Sequence, residues 1–164
     1  MNDSIPKRLG TLLSQHGMML TTAESCTGGG VAQAITDIAG SSHWFERGFV
    51  TYTNLAKTEM LGVSPDTLAQ QGAVSAATVR EMVAGALKHS HAQIALAVSG
   101  IAGPGGGSLN KPVGTIWFAW GIQNEAILTR LHLIKGDRSS IRQQSVDIAL
   151  QGVIHLLNQR TIAC

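Results

Sequence analysis

Charge is scarce in this sequence. Only 13% of its 164 residues are Asp, Glu, Lys or Arg, about half the usual share, and the formal net charge is +2. The basic residues are scattered, so no positive run is available to track a phosphate backbone. Aromatics are equally thin at 4%, with Tyr52 the single tyrosine, which leaves little to stack on bases. Nucleic acid is therefore not an expected partner. Cys26 and Cys164 are the only cysteines; they make no disulfide framework and suit a reducing compartment. No apolar run approaches the ~20 residues that cross a bilayer, and Met1 to Leu13 lacks the continuous apolar stretch of a secretory signal. A soluble cytoplasmic protein without membrane contact is the expectation. The six histidines show no His-Glu-x-x-His or Cys/His spacing, so neither a metal nor another cofactor is expected. Gly-x-Gly-x-x-Gly and Gly-Lys-Ser/Thr are both missing, which argues against a dinucleotide or nucleoside-triphosphate loop.

What is present is apolar periodicity in short blocks. At 44% hydrophobic residues the chain can bury a core without disulfides or metal, as one domain spanning residues 1–164. So little charge also leaves surface to be covered in a homo-oligomer, a dimer first. Ile5, Leu9, Leu12 and Leu13 share a helical face closed by Gly17. Met18 to Thr22 read as a strand, and Val31, Ala34, Ile35 and Ile38 as a helix stripe. Gly48 to Thr53 is rich in β-branched and aromatic residues and reads as a second strand, followed by Asn54 as a helix cap. Pro65 opens a short helix that Gly72 ends, and an amphipathic helix begins near Ser75. Gln93 to Ser99 is an almost unbroken apolar run, the mark of a strand covered on both faces. Val113 to Trp120 and Ala126 to Ile134 make an antiparallel pair, and Asp137 caps a long last helix. Strands separated by helices predict an α/β fold: a three-layer α/β/α sandwich on a mixed, mostly parallel sheet.

In such a sheet, ligands bind beyond the carboxyl ends of the parallel strands. That rule selects Ser25, Tyr52 and the loop Ser99 to Gly107 together, with Lys57 one turn into the helix after Tyr52. Ser25 lies between a strand and a helix, where unpaired N–H groups favour an anion or a developing oxyanion; Ser25 or Thr27 as a plain helix cap is the simpler alternative. A serine hydroxyl needs a neighbour to take its proton, and a lysine can do so once burial lowers its pKa. Ser99, which also ends a parallel strand, and the Cys26 thiol are rival nucleophiles. Ser4–Lys7 and Ser108–Lys111 both match Ser-x-x-Lys but lie in unsuitable settings, a charged helix start and a glycine loop before Pro112. Glycines 103 and 105 to 107 let backbone N–H groups approach an anion, with Lys111 or Arg138 as the accompanying cation.

The stretches Ala23-Glu24-Ser25-Cys26-Thr27-Gly28-Gly29, Tyr52-Thr53-Asn54 with Lys57, Gly72-Ala73-Val74-Ser75, Val98 to Gly107 and Lys111-Pro112-Val113-Gly114-Thr115 together resemble the CinA C-terminal domain family. Within it they are most similar to the stand-alone bacterial amidohydrolases of nicotinamide nucleotides. The resemblance runs along essentially the whole chain; Ser99 stands where many relatives have threonine. It implies hydrolysis of the carboxamide of nicotinamide mononucleotide, in pyridine-nucleotide recycling. It implies Ser25 as nucleophile assisted by Tyr52 and Lys57, and a pyridine nucleotide held by Cys26, Thr27, Gly28, Ser99, Gly100, Gly103, Gly105, Gly106 and Arg138. A non-catalytic nucleotide-binding or regulatory domain using the same pocket is the alternative.

Overall fold

The computed structural model describes residues 2–163, so Cys164 lies outside the described residues. The chain forms α1 (Ile5–His16), β1 (Leu20–Glu24), α2 (Gly30–Thr36), a 3-10 turn (Ser41–His43), β2 (Phe45–Val50), α3 (Asn54–Leu61), α4 (Pro65–Gln71) and α5 (Ala76–Lys88). It continues as β3 (Ile94–Gly100), β4 (Thr115–Ile122), β5 (Leu128–Leu133) and α6 (Arg138–Ala163). The sheet order is β2-β1-β3-β4-β5. β1 lies parallel to both its neighbours, whereas β4 runs antiparallel to β3 and to β5. Only β4 is reversed, so the mixed, mostly parallel sheet of the α/β/α sandwich is what forms.

Period-2 alternation sets the two faces. Ile94, Leu96 and Val98 of β3 join Leu20, Phe118 and the helices α1, α2 and α6 in one apolar cluster. Ala95 and Ala97 face the other way, joining Ala23 and Ala119 against α5. Alanines on that face let α5 come close, and α5 in turn meets α3 backbone to backbone. A Cβ on Gly85 would lie 1.9 Å from the Leu61 carbonyl oxygen.

The same alternation aims the first strand's end. β1 is fully buried and runs two residues later than the Met18–Thr22 expected, so its last residue is Glu24, on the α2 side with Leu20 and Thr22. The Ser25 N–H extends the ladder by donating to the Val98 carbonyl at 3.0 Å, and Ser25 takes the opposite face, toward α3. β2 ends at Val50 rather than Thr53. Thr51 still donates its N–H to the Glu24 carbonyl at 2.8 Å, after which the chain turns. Thr53, not Asn54, caps α3, accepting from the Ala56 N–H. α5 begins next to Ser75 as expected, with Ser75 as its cap, and Asp137 caps α6 as expected.

Candidate active site

Beyond the carboxyl ends of β1 and β3 lies a cavity of about 290 Å³ lined by Ser25, Cys26, Tyr52, Asn54, Lys57, Ala73, Val74, Ser99, Gly100, Ala102 and Arg138. Lys57 is part of its wall. Although charged in ordinary surroundings, it is only 1% exposed. Its Nζ donates to Ser25 Oγ at 2.8 Å and to the Thr51 carbonyl at 2.8 Å. No carboxylate pairs with it among the described residues. Burial without a counter-charge penalises the ammonium and lowers the Lys57 pKa from 10.5 to about 8. A hydroxyl and a low-pKa amine at hydrogen-bond distance are what a nucleophile and its general base require.

The rivals are differently employed. Ser99 Oγ donates to the Ala73 carbonyl at 2.8 Å, tying the 72–75 turn to the sheet and using the hydroxyl as a brace. Burial, joined by the Glu24 charge, outweighs the opposing effects and pushes the Cys26 thiol up to about 11, so it stays protonated and unreactive near neutrality. Tyr52 does not reach Lys57. It is 58% exposed, and its hydroxyl accepts from Arg138 Nη2 at 3.1 Å, while Arg138 Nη1 donates to the Gly103 carbonyl at 2.8 Å. Those two contacts hold the Arg138 guanidinium at the rim of the cavity.

The helix after Ser25 does not supply the oxyanion donors that its position suggests. Its first N–H groups are already taken by Glu24: Oε1 accepts from the N–H groups of Gly29 at 3.2 Å and Val31 at 2.9 Å, and Oε2 from Ala32 at 3.1 Å. Thr27, 1% exposed, donates its hydroxyl to the same carboxylate at 2.6 Å. Glu24 is thus an internal anion at the positive end of α2, seated there so that the following turn carries Ser25 outward.

Several expected contacts lie outside the cavity. Thr27 faces Glu24. Gly28 packs under Arg142, with a Cβ built there 3.3 Å from Nη2. Gly103 offers its carbonyl to Arg138. Gly105 and Gly106 line a separate groove with Pro104, Leu109 and Val113, and Lys111 Nζ donates to the Gln71 carbonyl at 2.8 Å. Sequence reading missed Arg142. Its Nε donates to the Cys26 carbonyl and its Nη2 to the Thr27 carbonyl, each at 3.1 Å. The available signal was its place one helical turn after Arg138.

A family model of the CinA C-terminal domain matches residues 2–157. The chain belongs to that family. Nicotinamide-nucleotide amidohydrolase PncC of Escherichia coli strain K12 is 53% identical over 157 residues, 96% of this chain and 95% of that protein. The protein of the same name from Pseudomonas putida is 50% identical over 153 residues, 93% of this chain and 95% of that one. The crystal structure of competence/damage inducible protein CihA from Agrobacterium tumefaciens matches with a TM-score of 0.90 at 48% identity, over 94% of this chain and 93% of that one. Residues 2–157 of the family match take in every wall of the cavity, from Ser25 to Arg138. No helix of the described residues is long and apolar enough to cross a membrane.

Proposed function

We propose that the chain is a nicotinamide-nucleotide amidohydrolase that converts nicotinamide mononucleotide and water to nicotinic acid mononucleotide and ammonia through an acyl intermediate on Ser25. The names of relatives about half identical over nearly their whole length support the reaction class. The observation that carries the mechanism is the buried 2.8 Å contact between Lys57 Nζ and Ser25 Oγ.

With Lys57 protonated, that hydrogen bond runs from nitrogen to oxygen. Once Lys57 is neutral, one N–H stays on the Thr51 carbonyl and the nitrogen lone pair turns to the serine proton. Ser25 Oγ then attacks the carboxamide carbon as its proton moves to Lys57. The tetrahedral intermediate collapses by breaking the C–N bond, and the Lys57 ammonium returns the proton to the departing amine, which leaves as ammonia. Water repeats the sequence on the ester: it gives up a proton to Lys57 as it attacks, Lys57 returns that proton to Ser25 Oγ as the C–O bond breaks, and the product acid loses its proton to solvent as the carboxylate. Every proton transferred in the two steps is moved by one group, Lys57.

At about 290 Å³ the cavity sits at the small end of ligand pockets, about 300–1,000 Å³. It suits the pyridine ring and carboxamide, leaving ribose and phosphate toward the rim, where Arg138 can make charge-assisted contacts. Tyr52 and Asn54 complete that rim. The test is ammonia release from nicotinamide mononucleotide by purified protein, with nicotinic acid mononucleotide formed in equal amount. Tight nucleotide binding without ammonia would instead favour a regulatory binding domain.

A further inference from the structure

Attack on an amide creates an oxyanion, and the obvious donors at the start of α2 are engaged by Glu24. Two backbone N–H groups beside the nucleophile remain. Among the described residues, neither the Cys26 N–H nor the Thr27 N–H finds an acceptor in another residue, although Gly28 donates to the Ser25 carbonyl and Gly30 to the Thr27 carbonyl. Both residues are buried, Cys26 at 6% exposure and Thr27 at 1%. Buried N–H groups are rarely left unpaired in a protein at rest.

Arg142 fixes where the second of them points, while the Ser25 carbonyl, held by the Gly28 N–H, orients the first. A trans peptide is planar, so its carbonyl and N–H face opposite ways. The Cys26 carbonyl is held by Arg142 Nε and the Thr27 carbonyl by Nη2. The Thr27 N–H, in the same peptide as the Cys26 carbonyl, is therefore turned away from Arg142. The guanidinium also pulls electron density through that carbonyl, which strengthens the N–H as a donor. Gly28, at φ +58, leaves room for the clamp, because a Cβ would lie 3.3 Å from Arg142 Nη2.

We propose that Arg142 is a positioning residue for the hydrolysis inferred above: by chelating the Cys26 and Thr27 carbonyls it sets the turn so that the Thr27 N–H joins the Cys26 N–H in receiving the oxyanion formed at Ser25. Arg142 touches neither Ser25 nor Lys57; it acts through the peptide between Cys26 and Thr27. Its contribution appears only when negative charge develops on the substrate oxygen, so it acts on the transition state rather than on bound substrate.

The experiment compares wild type, Arg142→Ala and Arg142→Lys. Arg142→Ala lowers kcat about 100-fold, the scale of a lost oxyanion donor, while KM and the affinity for the product nucleotide stay within about threefold. The acid limb of the pH profile keeps its midpoint, since Lys57 is untouched. An aldehyde in place of the carboxamide adds Ser25 reversibly as a tetrahedral adduct, and its affinity falls by the same factor as kcat/KM. Arg142→Lys regains thermal stability but not kcat, because one ammonium cannot grip two carbonyls as the planar fork does; this variant carries the test if Arg142→Ala does not fold. Either variant within threefold of wild-type kcat, or a fall in kcat with unchanged aldehyde affinity, overturns the proposal. A wild-type protein that releases no ammonia refutes the substrate reading alone. Labelling of Ser25 by a fluorophosphonate, whose phosphoryl oxygen needs the same donors, then decides: about 100-fold slower labelling of Arg142→Ala supports the role, and equal rates refute it.

Discussion

The pH dependence of hydrolysis follows from the burial of one lysine. An ordinary lysine at pH 7 is neutral in about one molecule in three thousand. With its pKa lowered from 10.5 to about 8, Lys57 is neutral in about one in ten, so burial raises the population of competent base roughly 300-fold. kcat/KM should therefore rise steeply with pH below 7.5, reach half its limit near pH 8 and level off above pH 9, about 30-fold higher at pH 9 than at pH 6.5. Initial rates of ammonia release at low substrate concentration would show this, taken above pH 6.5 to avoid titrating the substrate phosphate. The same shift acts on stability. The unfolded chain holds the lysine proton up to about pH 10.5 and the folded chain only to about 8, so between these values the unfolded state binds more protons and stability rises with pH. The burial penalty is fully present below pH 8, amounts to about 3 kcal/mol and vanishes above 10.5. Lys57→Met should accordingly be inactive yet more stable than wild type at pH 7, with the gap closing toward pH 10.5 in urea titrations. Lys57→Arg, which keeps a charge but cannot shed its proton, should be as inactive as Lys57→Ala. An active Lys57→Arg enzyme, or a rate flat between pH 6.5 and 9, would refute the base assignment.

Ser25→Ala should lower kcat by several orders of magnitude with product affinity retained, as read by calorimetry; activity within tenfold of wild type would move the nucleophile elsewhere. Arg138→Ala should raise KM for the mononucleotide at least tenfold and leave the poorer riboside unchanged, because only the former carries a phosphate. Equal effects on the two substrates would remove Arg138 from phosphate binding. Glu24→Gln should lower the melting temperature by roughly 4–8 °C, since the amide cannot accept all four donors and strands about 2 kcal/mol of buried polarity; an unchanged melting curve would contradict the capping role.

The convergence of Ser25 and Lys57 was legible in the sequence because topology alone carries it: both follow the carboxyl ends of neighbouring parallel strands. Strand ends were less so. Thr51 and Thr53 are β-branched and read as strand, yet Thr53 spends its hydroxyl on the Ala56 N–H and Thr51 offers its carbonyl to Lys57. Local propensity cannot weigh such uses against a ladder. Glu24 was invisible as a cap because it precedes α2 by six residues, outside any short capping pattern, and becomes one only through the turn between. Arg142 was invisible for a related reason: its partners stand 115 and 116 residues away, and nothing local to α6 marks the arginine that reaches them.

Arg138 and Arg142 both project from the beginning of α6, whereas Ser25, the proposed nucleophile, lies near the start of the chain. A ribosome therefore finishes the Ser25–Lys57 pair long before it delivers the groups that complete the pocket. Until residues past Arg142 have emerged and docked, the growing polypeptide holds Ser25 in an unfinished cleft. Catalytic competence thus becomes a readout of completed folding, and a break anywhere in the opening turns of α6 should silence the enzyme while leaving the sheet intact.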